Sequence, residues 1–323
     1  MKKPIAIIAG EPNSISSEII FKTWKLKRKY KHKPFFIIGS INLLNSQMKK
    51  LKYNIKIKKI DNNFTIKDLV KNELPVYDVK YIQKKPFENL STRPNFYILK
   101  CFDLASKLAN KKKIIGIINC PISKEFLFRN KYQGVTEYLS KKESKKNDGV
   151  MLIFNNKLSV SPITKHIPID QVGRKISDFK IVHTVKTIND FYKNYFSKKP
   201  NFAILGLNPH NYYSSKKSRI KKKIDKAIKK LKRQKINING PISSDTSFVT
   251  YKKYKFDVII GMYHDQVLAP FKTLFKFKGI NLTLGLPYIR ISPDHGIAQD
   301  IIGKKMANPD SLIESIKFFN LIK

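Results

Sequence analysis

Residues 257–266 read Asp257-Val258-Ile259-Ile260-Gly261-Met262-Tyr263-His264-Asp265-Gln266. An unbroken run of β-branched and apolar residues, too short for a helix, gives way abruptly to a polar turn carrying a histidine. A strand buried on both faces reads this way, and such strands belong to parallel sheets covered by helices. The same sentence recurs along the chain. Ile5–Ala9 runs into Gly10-Glu11-Pro12-Asn13, and Ile114–Asn119 into Cys120-Pro121-Ile122-Ser123-Lys124. Phe202–Gly206 runs into Leu207-Asn208-Pro209-His210-Asn211, and Ile280–Leu284 into Gly285-Leu286-Pro287-Tyr288-Ile289-Arg290. Phe35–Gly39 and Val150–Phe154 are further strands of the same kind, and the alternation of Tyr53, Ile55 and Ile57 with polar neighbours predicts a half-exposed edge strand.

Between the strands lie stretches of helical period. In Ser218–Gln234 the apolar residues Ile220, Ile224, Ala227, Ile228 and Leu231 form one stripe and Lys or Arg fills the rest. We read it as an outer helix with a solvated face rather than a polyanion grip. Gln83–Pro94 and Lys141–Gly149 are expected as surface loops or linkers. The whole pattern predicts an α/β fold with a mixed, mostly parallel sheet. In an open sheet of this class ligands bind beyond the carboxyl ends of the strands, so the polar strand-end loops point to one shared site.

Composition narrows the function. The chain has 323 residues, room for one large or two medium domains. Its apolar share of 41% excludes wholesale disorder, and no apolar run approaches the ~20 residues of a membrane span. Met1–Pro4 followed by Ile5–Ala9 is too short for a signal peptide. Cys101 and Cys120 have no paired spacing, which argues against a disulfide scaffold and fits a reducing cytoplasm. The net charge of +42 suggests a polyanion partner at first sight, yet 58 Lys stand against 7 Arg. Dedicated phosphate and groove readers lean on the forked guanidinium. With Ile and Asn also abundant, we read the excess as codon bias on solvated positions, so no nucleic-acid partner is expected. A small anionic substrate would be favoured by the same field.

Three histidines occupy such loops: His166, His210 and His264. Each lies tens of residues from the next, so there is no local metal motif, and a single histidine of this kind is usually a hydrogen-bonded structural group. Three together strengthen the reading as ligands of a divalent ion with positions left open for substrate. His32 is expected to be exposed, and His183, after Ile181-Val182, reads as a strand residue. Lys272, Asn281, Arg290 and Thr136 are the anion-binding candidates, Arg290 most of all because arginine is scarce here. Neither a G-x-G-x-x-G fingerprint nor a Walker phosphate loop is present.

Gly206-Leu207-Asn208-Pro209-His210, Gly240-Pro241 with Ser244-Asp245-Thr246, Met262–Gln266, and Asn281–Arg290 with Asp294-His295-Gly296 together resemble the 4-hydroxythreonine-4-phosphate dehydrogenases of vitamin B6 biosynthesis, in order and over nearly the whole length. The resemblance implies two α/β lobes of the isocitrate and isopropylmalate dehydrogenase type with an active site in the cleft, drawn as 1–128 plus about 300–323 and 129–299. It implies a homodimer with its site at the interface. It implies a divalent metal, zinc first with magnesium or cobalt as alternatives, on His166, His210 and His264, and substrate contacts from Thr136, Lys272, Asn281 and Arg290. NAD or NADP would bind without a Rossmann motif. Asp245 and Lys272 are the catalytic candidates, Asp245 for handling a proton or positioning a ligand. The implied reaction oxidises 4-phosphohydroxy-L-threonine, with decarboxylation to 3-amino-2-oxopropyl phosphate.

Departures from the family lie in the N-terminal half. The first loop, usually Gly-Glu-Pro-Ala-Gly-Ile-Gly-Pro, is Gly10-Glu11-Pro12-Asn13-Ser14-Ile15-Ser16-Ser17, and serine would resist a positive φ. Gly-Pro-Val-His-Lys becomes Cys120-Pro121-Ile122-Ser123-Lys124, and His-Thr-Glu becomes Val135-Thr136-Glu137. Valine neither donates a hydrogen bond nor bears charge. A drifted enzyme and a paralogue acting on a phospho-threonate or phospho-erythronate both accommodate these changes, as does an inactive basic binding protein.

Overall fold

A computed structural model describes residues 3–129, 131–132, 134–143, 149–211, 218–276 and 278–322. Their strands are, in chain order, β1 (Ile5–Ile8), β2 (Phe35–Gly39), β3 (Ile57–Ile60), β4 (Leu74–Asp78), β5 (Gly116–Asn119), β6 (Val150–Phe154), β7 (Ser159–Thr164), β8 (Phe202–Leu205), β9 (Ile238–Ile242), β10 (Val258–Tyr263), β11 (Ile280–Leu284) and β12 (Ile289–Pro293). The chain divides into two compact units, Met1–Lys146 with Leu286–Ile322, and Asn147–Gly285.

In the first unit the strands run β3-β4-β2-β1-β5-β12, every pair parallel. β1, β2 and β5 are buried throughout, as their unbroken Ile and Phe content requires, while the edge strand β3 is half open. The helix Asn95–Asn110 lays Ile98, Cys101, Phe102, Ala105 and Leu108 into the core. The first lobe extends further than 1–128 plus about 300–323 because Val135 and Leu139 join that same core and β12 pairs with β5.

In the second unit the order is β11-β6-β7-β10-β8-β9. β7, β10, β8 and β9 are mutually parallel, and β6 runs against both β11 and β7, so the sheet is mixed and mostly parallel. The helix Arg219–Arg233 buries Ile224, Ala227, Ile228 and Leu231, and the Ser218 hydroxyl caps it by accepting from the Lys221 N–H at 3.4 Å. His183 is corrected: it lies in the helix Asp178–Phe196, not in a strand. Ile181, Thr184, Val185 and Ile188 are buried at helical spacing, which outweighs the short Ile-Val doublet. Lys141–Glu143 is helical, and residues 144–148 of the expected loop lie outside the described residues.

The serine-rich first loop folds without the strain its lost glycines suggested. Positive φ falls on Gly10, at 80°, and not on residues 13–17. A Cβ on Gly10 would meet the Pro121 carbonyl oxygen at 2.4 Å, so glycine is required there. Ser14 and Ser16 turn their hydroxyls inward: Ser14 Oγ donates to the Glu11 carbonyl at 2.6 Å, and Ser16 Oγ to the Pro121 carbonyl at 3.3 Å.

Candidate functional site

Three adjacent parallel strands of the second unit, β7, β10 and β8, deliver the three histidines at their carboxyl ends. His166 follows β7, His264 follows β10 directly, and His210 follows β8. The β7–β10 register sets Tyr263 beside Thr164, and Thr164 Oγ1 donates to the Met262 carbonyl at 2.7 Å. His166 and His264 are thereby brought to a centroid separation of 5.5 Å. Gln266 ties the ends together: its amide donates to the Gly206 carbonyl and the Ser244 hydroxyl, each at 2.7 Å, and its carbonyl accepts from the Met262 N–H at 2.6 Å. Gln266 was legible only as part of a motif, because its partners lie in distant segments.

Each of two histidines has a carboxylate on Nδ1. Asp265 Oδ1 lies 2.6 Å from His264 Nδ1, and Asp245 Oδ2 lies 3.3 Å from His210 Nδ1. A carboxylate there keeps the proton on Nδ1 and leaves Nε2 with its lone pair, the usual outer-shell support of a metal-binding imidazole. Asp245 is itself held by the Ser243 hydroxyl at 2.7 Å and the Thr246 N–H at 2.8 Å, and with the nearby His210 they keep its carboxyl below the ordinary range. His210 takes a left-handed backbone, φ 49°, on an exposed turn.

Two imidazoles on one tetrahedral ion place their centroids about 5 Å apart. The His166–His264 pair meets that spacing, so the donor type and the pair fit a divalent ion. Among the described residues no group of three or more His, Cys, Asp or Glu is gathered to hold a metal ion, and His210 stands with Asp245. Lys272 lies on an exposed turn of the helix His264–Phe275. Asn281, on β11, has its Oδ1 buried without a hydrogen-bond partner among the described residues. A buried acceptor left this way is costly and suits a ligand's donor.

Arg290 and Thr136 belong to the first unit. Arg290, on β12, is 3% exposed, and its Nε donates to Asn119 Oδ1 at the end of β5, 2.7 Å away. Burial pushes its guanidinium down to about 10. Thr136 is buried in the first turn of the helix Val135–Glu143. Glu11, after β1, is also buried, and desolvation pushes its carboxyl up to about 7 against the N–H of Asn13. Beside these loops the first unit holds a cavity of about 1080 Å³ lined by Asn13, Phe87, Arg93, Ser123, Phe126 and Gln299 among others. Its lining mixes Lys84, Lys85 and Arg93 with Glu88 and Glu125, and Arg93 pairs with Glu88 at 3.4 Å. The sequence marked Gln83–Pro94 only as a loop.

Residues 31–319 match the family described as pyridoxal phosphate biosynthetic protein PdxA. The 4-hydroxythreonine-4-phosphate dehydrogenase of Sulfurihydrogenibium sp. is 36% identical, over 99% of this chain and 98% of that protein. The chain belongs to the PdxA family. Another PdxA relative, the 4-hydroxythreonine-4-phosphate dehydrogenase of Aquifex aeolicus, is 31% identical over 98% of this chain and 97% of its own length. The fold agrees with the solved structure of a putative 4-hydroxythreonine-4-phosphate dehydrogenase from Salmonella typhimurium, TM-score 0.84 at 27% identity, with 98% of each chain covered. These PdxA relatives are named as dehydrogenases, and the chain is an oxidoreductase by family. No helix among the described residues is long and apolar enough to cross a membrane.

Proposed function

We propose that the protein oxidises 4-phosphohydroxy-L-threonine at its secondary hydroxyl, using NAD or NADP and a divalent metal, in pyridoxal 5′-phosphate biosynthesis. The observation that carries this reading is the His166–His264 pair at 5.5 Å on adjacent strand ends, in a chain 36% identical to a relative named for that reaction. The hydroxyl carbon loses hydride and the hydroxyl a proton. The resulting β-keto acid loses CO₂ and gives 3-amino-2-oxopropyl phosphate.

His166, His210 and His264 would hold the metal, zinc by the preference of imidazole donors. A bound divalent ion supplies a lowered hydroxyl pKa near neutral pH. The nicotinamide supplies the hydride acceptor, and the first-unit cavity is the seat we assign to the dinucleotide. Asp265 and Asp245 hold their histidines in one tautomer. Asp245, already ionised at neutral pH, is our candidate for a proton-handling group. Arg290, Lys272, Asn281 and Thr136 are assigned to the substrate, where a buried guanidinium grips an oxyanion through paired hydrogen bonds and so orients the reacting carbon. We further propose a cytoplasmic homodimer that contributes its site at the interface; both cysteines are free and buried, in keeping with a reducing compartment.

A second reading has its own support. A putative D-threonate 4-phosphate dehydrogenase from Oceanobacillus iheyensis is 29% identical over 98% of this chain, and Val135 stands where the family usually has histidine. The separating experiment offers 4-phosphohydroxy-L-threonine, D-threonate 4-phosphate and D-erythronate 4-phosphate to the metal-loaded protein and follows NADH. Preference for the amino substrate supports the first reading; preference for a hydroxy acid lacking the amine supports the second.

A further inference from the structure

We propose that Asn13 is the positioning residue of the first-unit cavity: its buried amide holds the loop Gln83–Pro94 in the shape that receives the ligand, here the dinucleotide. Naming the occupant rests on the reading above; the clasp on the loop does not.

Half of the residues that line the cavity come from this loop, Phe87, Glu88, Leu90 and Arg93 among them. The loop has no helix or strand of its own. Its inner ties are Glu88 Oε1, which accepts from the N–H groups of Lys84 at 2.8 Å and Lys85 at 3.2 Å, and Arg93, which donates to the neighbouring Ile82 carbonyl at 3.2 Å. These bonds give the loop a shape but do not fix its place. Among the described residues, three hydrogen bonds tie residues 83–90 to anything outside the loop, and Asn13 accepts two of them. Asn13 Oδ1 accepts from the Glu88 N–H at 2.8 Å and from Gln83 Nε2 at 3.2 Å. A backbone N–H can only donate, which settles the orientation of the Asn13 amide. The third bond comes from Gln47 Nε2, which donates to the Pro86 carbonyl at 2.9 Å and to the Pro12 carbonyl, next to Asn13, at 2.7 Å.

Asn13 can serve as an anchor because its own position is fixed. It is 2% exposed, its N–H donates to Glu11 Oε1 at 3.2 Å, and Ser14 and Ser16 after it are bonded inward. Alanine, which the related loops usually carry here, has no acceptor to offer, so the clasp depends on the asparagine. An irregular loop held by so few bonds opens at low free-energy cost once two of them are gone, and the wall of the cavity goes with it. A loop ordered in advance lowers the entropy that the ligand must offset on binding.

The test compares the full-length wild type with Asn13→Ala, Gln83→Met and the double variant. Amide hydrogen exchange should speed up about tenfold or more in residues 83–91 of Asn13→Ala and stay unchanged in β1 and in the helix Asn95–Asn110. NADH affinity by calorimetry should fall about 5- to 50-fold, and the cofactor KM should rise with it while kcat and the substrate KM are retained. Losses in the double variant should be less than additive, since both single changes break one shared bond. Gln47→Met, which frees the loop from its other anchor, should give the same split. Unchanged exchange in a folded Asn13→Ala, or faster exchange with unchanged NADH affinity, overturns the proposal. So does an equal loss of affinity for substrate and NADH, which a general loosening of the unit would produce. A wild type that binds NADH without turnover overturns the dehydrogenase reading, and exchange and NADH affinity still decide Asn13.

Discussion

Arg290 Nε donates to Asn119 Oδ1 at 2.7 Å, joining two parallel strands whose register pairs Arg290 with Ile117. The bond does two things at once. It satisfies one donor of a buried cation, and it fixes the plane of the guanidinium. Asn119→Ala removes the acceptor of the Arg290 Nε–H, and with it the Nδ2 donation to the Cys120 carbonyl at 3.1 Å. The expected cost is about 1–3 kcal/mol of stability, together with a raised substrate KM, checked by denaturant titration and steady-state kinetics.

Glu11 makes stability pH-dependent in an unusual direction. Its folded carboxyl is pushed up to about 7 by burial, from an ordinary 4.5. Between these values the folded chain binds more protons than the unfolded one, so stability falls as pH rises through that window and levels off above it. Glu11→Gln should flatten this slope and stabilise the protein at pH above about 7, by up to about 3 kcal/mol. Melting temperature against pH for both proteins checks it.

The carboxylate on His264 predicts a metal phenotype without loss of the ligand itself. Asp265→Asn keeps the shape but weakens the hold on the Nδ1 proton. Metal affinity should fall about 10- to 100-fold, and His264→Ala should abolish metal retention. Metal content after dialysis against a weak chelator reads both. Wild-type retention in His264→Ala would remove it from the ligand set.

The basic helix Arg219–Arg233 should matter for folding only. Leu231 is fully buried, and Leu231→Ala should cost about 2–5 kcal/mol. kcat and KM of the protein that remains folded should be unchanged, measured below its melting transition.

Strands buried on both faces announce themselves, and Phe35–Gly39, Val150–Phe154 and Ile280–Leu284 match their observed bounds for that reason. The basic helix was equally plain, from its apolar stripe, whereas its Ser218 cap emerged only from the fold. β7 and β9 were not legible, because Ser159, Ser161 and Pro162 in one and Asn239, Gly240 and Pro241 in the other interrupt any apolar pattern. Their partners in the sheet, rather than their own composition, make them strands. The site shows the same division. Histidines in strand-end loops and Asp245 could be picked out one by one, and Asp265 is the direct sequence neighbour of His264, whereas the seating of Asp245 on His210 and the Gln266 tie to Gly206 and Ser244 arise from segments brought together by strand order.

The most direct test of the whole account is NADH or NADPH formation by the metal-loaded wild-type protein given 4-phosphohydroxy-L-threonine. The account predicts reduced nicotinamide and CO₂ in equal amounts, lost on chelation and restored by adding the ion back. Folded, metal-loaded protein that reduces neither cofactor with this substrate, nor with the phosphorylated threonate and erythronate, would contradict it.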